Sequence, residues 1–588
     1  MTTPSEPWPP LGATVHDGQA TFRVWAPAAR DATLEVDDRG RVRRLPLAHD
    51  LGGDGLWSGC LPGVAAGTRY RFRIDGGEPL PDPCSRSQPE GVHGPSEVVD
   101  FGAFAWSDAG WAGLTLDGLT VYELHVGSFS PEGTFDGVVA RLDYLRELGV
   151  RAIELMPVAE FAGTRNWGYD GVALYAPSRA YGGPAGLQRL VDAAHAHGLG
   201  VVLDVVYNHL GPEGNYLRAF SPYYFTDRYT TPWGEAIDYD GPHARGVREL
   251  VIQNAEQWLR DYHLDGLRLD ATHAIEDAST PHILLELQRR ARAAAGERRV
   301  VLIAENEHND PQLVASPEQG GFGLDAVWAD DFHHAVHTAL TQEREGYYRR
   351  FDGSAVAIAQ VIHDGRLRAA GGMAALPPER AVFCIQNHDQ VGNRAFGERL
   401  SALVPPDLCR VAAALLLLAP EPPLLFMGEE FAAGSPFLFF TDFAPDLGRL
   451  VTAGRRNEFA DFAAFRDEAL RERIPDPQAV GTFLKSKLDW AEAERHAPML
   501  RLYRALLRLR REDAVLAAPG EPPETGVLGD RAVYVLRRAG AAVRLLLANL
   551  GEPLALPAEA LPVPTDGLRP LLSTADVRYR LPGEAEAE

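Results

Sequence analysis

Between about residues 119 and 430 the chain alternates short apolar runs with amphipathic ones, and this alternation restricts the fold more than any other feature. The apolar runs are TVYELHV, RAIELMPV, GVVLDVVY, GLRLDAT, VVLIAEN, LDAVWAD, AVFCIQNH and PPLLFMGEE. Runs this short and this apolar read as strands buried on both faces, the pattern of a parallel sheet. Stretches such as GVVARLDYLRELG, LQRLVDAAHAHG and VRELVIQNAEQWLRDYH lie between them with helical spacing. Eight strand-then-helix units predict an α/β fold, a closed (β/α)8 TIM barrel.

The flanks differ. ATFRVWAPAA, DATLEVDD and RYRFRID alternate apolar and polar residues with period two, which predicts an N-terminal β-sandwich over residues 1–100 with Trp25 in its core. The segment EPLPDPCSRSQPEGVHGPSE, rich in Pro, Gly and Ser, reads as a linker lying along the surface. The barrel then occupies residues 101–510. RAVYVLRR, AAVRLLLANL and LRPLLS predict strands of a C-terminal all-β domain over 511–588, closed by an acidic, disordered tail, GEAEAE. A polar and aromatic insert at about 210–242 interrupts the third unit, where barrel enzymes carry functional loops. Its Tyr223, Tyr224, Phe225, Tyr229 and Trp233 form either a small self-packed core or a sugar-stacking surface.

Composition excludes several partners. A net charge of −24 repels phosphate backbones, so no nucleic acid is expected. The four cysteines have no metal-ligand or redox spacing, and Cys384 in VFCIQ reads as a buried thiol. The N-terminus lacks the pattern of a secretory signal. The longest apolar stretch, VAAALLLLAPEPPLLFMG, is broken by prolines and a glutamate, so no membrane association and a cytoplasmic location are expected.

Polar residues cluster at the C-terminal ends of four strand candidates: Asp204, Asn208 and His209; Arg268, Asp270 and His273; Glu305; His388 and Asp389. In a barrel these ends converge on the face that carries chemistry. Buried carboxylates are costly unless paired, so four strands carrying them at one end point to function. Retaining glycosidases need two carboxyls about 5–5.5 Å apart, one a nucleophile and one a proton donor. Asp270 and Glu305 lie one βα repeat apart and can face one pocket. Arg268, on the same strand face as Asp270, can keep that nucleophile ionised. Glu305 is the acid/base, and Asp389 offsets developing positive charge.

DVVYNH, GLRLDATHAI, IAEN and QNHDQVGN resemble, in order, the four signature segments of the α-amylase superfamily, glycoside hydrolase family 13. The resemblance implies Asp270 as nucleophile, Glu305 as acid/base and Asp389 as transition-state stabiliser. It implies substrate contacts from Tyr169 and Asp170 in NWGYD, and from His209, Arg268, His273, Asn306, Asn387, His388, Gln390 and Asn393. DDFHH, at the end of the sixth strand candidate, adds Asp330, Asp331, Phe332, His333 and His334, with Phe332 also a packing candidate. Asp204 and Asn208 are read as structural support. Asn208 occupies a calcium-binding position of typical α-amylases, but the insert here is short. A hydrogen-bonding role with no metal and no cofactor is therefore expected.

FRVWAPAA and TVYELHVGSFSPEGTF look like the branching and debranching relatives. IAENEHNDPQLV, DDFHHAVHTALTQEREGYYRRF, LLFMGEEFAAGSPFLFFTD and IPDPQAVGTFLKSKLDW look like the malto-oligosyltrehalose trehalohydrolase family. That resemblance implies retaining hydrolysis of the α-1,4 bond beside a terminal trehalose, with malto-oligosyltrehalose and maltooligosaccharides as ligands. It also implies a trehalose-forming synthase as pathway partner. An α-1,4-glucan branching enzyme would use the same triad with a glucan acceptor. A non-catalytic glycan-binding relative would lack part of the triad or carry a membrane anchor.

Overall fold

The computed structural model describes all residues except 1–6, 17, 39, 51–53, 368–374, 459–461, 519–521, 565 and 585–588. Its centre is a closed parallel barrel in which neighbours in sequence are neighbours in space. The strands are β1 (Val121–Leu124), β2 (Ala152–Leu155), β3 (Gly200–Val205), β4 (Gly266–Leu269), β5 (Val301–Glu305), β6 (Ala326–Trp328), β7 (Ala381–Cys384) and β8 (Pro423–Phe426). All eight apolar runs contain a strand, each shorter than its run. Val121, Ala152, Val202, Val301, Ala326 and Leu424 form a separate core inside the barrel. Cys384 is buried in it, and all four thiols are free. Among the described residues, no helix is long and apolar enough to cross a membrane.

The N-terminal domain is two four-stranded sheets. One pairs Gly12–His16, Gln19–Trp25, Leu56–Pro62 and Ala48–His49; the other pairs Arg41–Pro46, Ala32–Asp38, Arg69–Ile74 and Ser96–Glu97. Trp25 is buried, but its ring faces the barrel domain as well as the sandwich. It meets Tyr224 of the insert edge-on, centroids 5.0 Å apart, and covers helix α1 (Ala244–Arg260) at Gly246. Tyr224 thus belongs to the joint between domains, whereas Trp233 is half exposed.

The expected surface linker is a correction. Asp82, Cys84, Ser85, Arg86, Ser87 and Gln88 are all buried. Composition suggested solvent, but the polar side chains bond one another and their surroundings. Tyr70 donates to Asp82 at 2.6 Å, Ser85 to Gln88 at 2.8 Å, and Arg86 to the Leu11 carbonyl at 3.0 Å. A polar segment can be buried when its groups are satisfied in this way.

The C-terminal sheet pairs Glu524–Leu528, Ala532–Ala539 and Ala542–Asn549. The expected strand LRPLLS is irregular chain, and its prolyl residue has no N–H to give a ladder. Residues 585–588 of the acidic tail lie outside the described residues.

A Cβ on Gly246 would sit 2.1 Å from the Trp25 ring. In an ordinary helix Gly→Ala stabilises by about 1 kcal/mol. Here Gly246→Ala is expected to destabilise, by about 1–3 kcal/mol of overpacking, seen as a lower Tm. A raised Tm would show that the domains do not meet this closely.

Candidate active site

The parallel register sets the site. Asp204 on β3 pairs directly with Arg268 on β4, and Glu123 on β1 with Glu154 on β2. Arg268 is fully buried and lies over the Trp328 ring, 4.3 Å from its centroid. Its Nη1 donates to both oxygens of Asp204, at 2.9 and 2.8 Å, and to Asp270 Oδ1 at 2.6 Å. Asn208 Nδ2 donates to Asp270 Oδ2 at 2.8 Å and to the Asp270 carbonyl at 2.9 Å. The predicted nucleophile is therefore held on both oxygens. The Asn208 side-chain oxygen meets His209 Nδ1, and the His209 ring stacks on Trp233 at 4.7 Å.

Glu305 ends β5. Ala271, directly after Asp270, takes a left-handed φ of 40°, which a residue with a Cβ adopts only at a cost. This turn directs the Ala271 N–H onto Glu305 Oε2 at 2.6 Å, and Thr272 donates to the Glu305 carbonyl at 2.8 Å. Arg268 Nη2 stands 3.8 Å from the same Oε2. Burial raises the Glu305 carboxyl far above the usual range; Arg268 opposes this, and Asp270, Asp330 and Asp389 add to it. A carboxyl in that state can deliver a proton near neutral pH.

His388 joins the other half. Its Nδ1 meets Glu123 Oε1 at 2.5 Å, and its backbone N–H donates to Glu123 Oε2 at 3.0 Å. Its Nε2 lies 2.7 Å from the Tyr169 hydroxyl and 3.4 Å from Asp389 Oδ2. Tyr169 donates onward to Asp204 at 2.5 Å, and its ring stacks on His388. Burial opposes a charge on His388, but Asp389 and Glu123 overcome it and hold the imidazole up to about 9. With both nitrogens protonated the chain has one direction: His388 donates to Glu123 and to Tyr169, and Tyr169 donates to Asp204. Burial pushes Asp204 up to about 6 despite Arg268.

Beside this centre lies a cavity of about 230 Å³. Asp389, Asp330, Asp331, His334, Gln390 and Asn393 line it. So do Glu307, Tyr347, Arg350 and Phe351, which sequence reading missed because they lie outside the strand ends, Tyr347 and Arg350 in the short 3-10 helix Gly346–Arg350. Asn393 donates to Asp389 Oδ1 at 3.1 Å, orienting the third carboxylate. Burial and then Asp389 raise Asp330 to about 7.

Two expected contacts are corrections. Phe332 is fully buried and stacks on Phe383, centroids 4.5 Å apart. His333 is buried against the Ile385 carbonyl and the Tyr348 hydroxyl. On helix α2 (Asp331–Thr341) these two positions face the barrel, while Asp330, Asp331 and His334 face the cavity.

The remaining residues are placed as follows. Asn387 caps the turn that carries Asp389, accepting from the Gln390 N–H at 2.8 Å. Asn306 accepts the His308 N–H at 3.0 Å and faces Thr272. Asp170 accepts from Asn166 at 2.8 Å, and His273 is half-buried, its Nδ1 without a partner among the described residues. The sequence reading also missed Glu123 and Glu154, because a single acid in an apolar strand gave no signal. Glu154 is buried with no hydrogen-bond partner among the described residues, and burial pushes its carboxyl well above the usual range.

A family model described as the α-amylase catalytic domain matches residues 80–228, and one described as carbohydrate-binding module 48, the isoamylase N-terminal domain, matches residues 10–86. A malto-oligosyltrehalose trehalohydrolase of Deinococcus radiodurans is 48% identical over 568 residues, 94% of this chain and 91% of its own. One from a Rhizobium species is 45% identical, with 96% of each chain covered. A crystal structure of a putative α-amylase from Salmonella typhimurium superposes with a TM-score of 0.84 at 40% identity, covering 93% of this chain and 95% of that one. A 1,4-α-glucan branching enzyme of Corynebacterium jeikeium matches at 29% identity over 72% of this chain.

Glu123→Gln keeps the shape but removes the charge facing His388. Losing a charge-assisted hydrogen bond of about 1.5–3 kcal/mol should lower kcat/KM roughly 10- to 100-fold and let His388 lose its proton at lower pH. The alkaline limb of the pH profile should then fall earlier. A uniform loss at every pH would mean that Glu123 only supports the fold.

Proposed function

The chain belongs to the malto-oligosyltrehalose trehalohydrolase family of α-amylase-type enzymes, and from this we infer that it cleaves the α-1,4 bond beside the terminal trehalose of malto-oligosyltrehalose, with retention. The products are trehalose and a maltooligosaccharide. The observation that carries the chemistry is the pairing of Asp270 with Arg268 and Asn208 beside a Glu305 whose carboxyl burial keeps protonated.

In the proposed mechanism the Asp270 carboxylate, hydrogen-bonded by Arg268 and Asn208, attacks the anomeric carbon. Glu305 protonates the departing trehalose oxygen. Its Oε2 already accepts the Ala271 N–H, so Oε1 carries the proton. Asp389 faces the oxocarbenium-like transition state, and protonated His388 and Tyr169 hold the sugar on the donor side. Water, activated by the Glu305 carboxylate, then releases the glucosyl unit as the α-anomer.

The cavity of Asp330, Asp331, His334, Tyr347, Arg350 and Phe351 is the proposed seat of the leaving trehalose. Its carboxylates and imidazole suit sugar hydroxyls, and its aromatic rings suit sugar faces. A synthase that builds trehalose onto the end of a maltooligosaccharide would supply the substrate. A cytoplasmic site of action is consistent with this reading.

Product analysis tests it. Maltotriosyltrehalose should give trehalose and maltotriose quickly, while maltopentaose and amylose react slowly; branched products from amylose would identify a transferase instead. Proton NMR should record the α-anomer first, and an inverted product would remove Asp270 as nucleophile. Asp270→Ala should fold normally and lose at least about 10⁴-fold in kcat.

The pH dependence has a defined sign. The acid must be protonated, so activity falls as pH rises through the Glu305 value. Asp330→Asn removes a negative neighbour that raises Glu305. The alkaline limb of kcat/KM should move to lower pH, and an upward move would contradict the assignment.

A further inference from the structure

A second cavity, of about 280 Å³, opens at the opposite end of the barrel. It lies under the N-terminal ends of three strands: Thr120 precedes β1, Arg151 precedes β2 and Pro422 precedes β8. The other wall comes from the long helix α3 (Ala497–Glu512), through Arg510 and Arg511, and from the C-terminal sheet, through Arg537. Four arginines therefore converge here in a chain whose net charge is −24.

Most of this charge is uncompensated. Among the described residues Arg151, Arg510 and Arg537 form no ion pair, and Arg511 pairs only with its neighbour Glu512. Arg510 donates to carbonyl oxygens of Leu417, Pro420 and Glu421 and to no carboxylate. Asp117 and Glu379 are the acids of the lining, and both are exposed. Glu421 lies buried behind the wall, and burial pushes its carboxyl well above the usual range. Burial, and then the like charge of Arg537, press the Arg510 guanidinium down to about 10. Among the described residues, two donors in the wall have no acceptor: Arg537 Nη1 and Thr120 Oγ1. Buried polar groups in native proteins are nearly always bonded.

We propose that this cavity binds a small phosphorylated metabolite. The phosphate takes hydrogen bonds from Arg151, Arg537 Nη1 and Thr120 Oγ1, and a CH-rich body rests on Leu507, Leu516 and Pro422. Convergent guanidinium forks match the oxygens of a phosphate better than a single carboxylate. The volume falls just below the roughly 300 Å³ at which ligand pockets usually begin, which selects a molecule of hexose-monophosphate size or smaller. Such a ligand would join the barrel base to the C-terminal sheet, far from the carboxylates that cleave glucan.

Calorimetry on the full-length protein in phosphate-free buffer tests this, with glucose 6-phosphate, inorganic phosphate, citrate and glucose as probes. Glucose 6-phosphate should bind once per chain, raise Tm and weaken with added salt. Arg151→Gln/Arg537→Gln should weaken it by about tenfold or more while trehalose release stays at the wild-type rate. Inorganic phosphate binding equally well would identify the free ion as the occupant. The proposal fails if no probe saturates at millimolar concentration, if glucose binds as well as its phosphate, if citrate outcompetes both phosphates, or if the double variant binds unchanged. None of these results bears on the hydrolase reading, which stands on the other face of the barrel.

Discussion

A fully buried guanidinium cannot stand alone. Arg268 has no exposure to water, and the barrel supplies its counter-charges from neighbouring strands, Asp204 from β3 and Asp270 from the end of its own. Removing one partner of such a pair leaves an unpaired buried charge and costs about 3–5 kcal/mol. The same arrangement is the chemistry. The guanidinium that must be neutralised also donates to the carboxylate proposed to attack the anomeric carbon. From Asp204 the hydrogen bonds continue through Tyr169 to His388 and Glu123, so the ends of β1, β3, β4 and β7 are tied by one polar network.

Two carboxyls at the ends of the adjacent strands β4 and β5 thus meet different surroundings. Asp270 receives a cation and an amide; Glu305 receives burial and like charges, with Arg268 held off at 3.8 Å. The strained turn at Ala271 mediates between them, because one backbone unit follows the first carboxyl and donates to the second. Strain of this kind persists only where the surrounding structure over-determines it, and here strands on either side do so.

The two ends of the barrel divide the electrostatics. The C-terminal face gathers carboxylates around Arg268 and Arg350, while the N-terminal face gathers arginines around a mixed apolar and polar hollow. The flanking domains attach by different means. The N-terminal sandwich docks through Trp25, Tyr224 and a buried polar segment; the C-terminal sheet packs on the outer helices Ala355–Asp364 and Pro406–Leu418, and its Arg537 reaches the cavity at the barrel base.

The eight strands and the carboxylates at their ends were legible in the sequence because both are local signals. A strand buried on both faces must be apolar along its length, and a charge at its end breaks that pattern visibly. The same logic failed for the segment 78–97, whose polar composition mimics a surface linker until its partners are known. It failed for Phe332 and His333, which share a motif with Asp331 and His334 but lie on the other face of one helix. Tertiary structure alone brought Glu123 under His388, placed Tyr347 and Arg350 in the cavity beside Asp389, and drew four arginines from three distant segments into one hollow. These pairings depend on strand register and chain closure over hundreds of residues, whereas the sequence by itself determined the period of the elements and which side chains would be available to react.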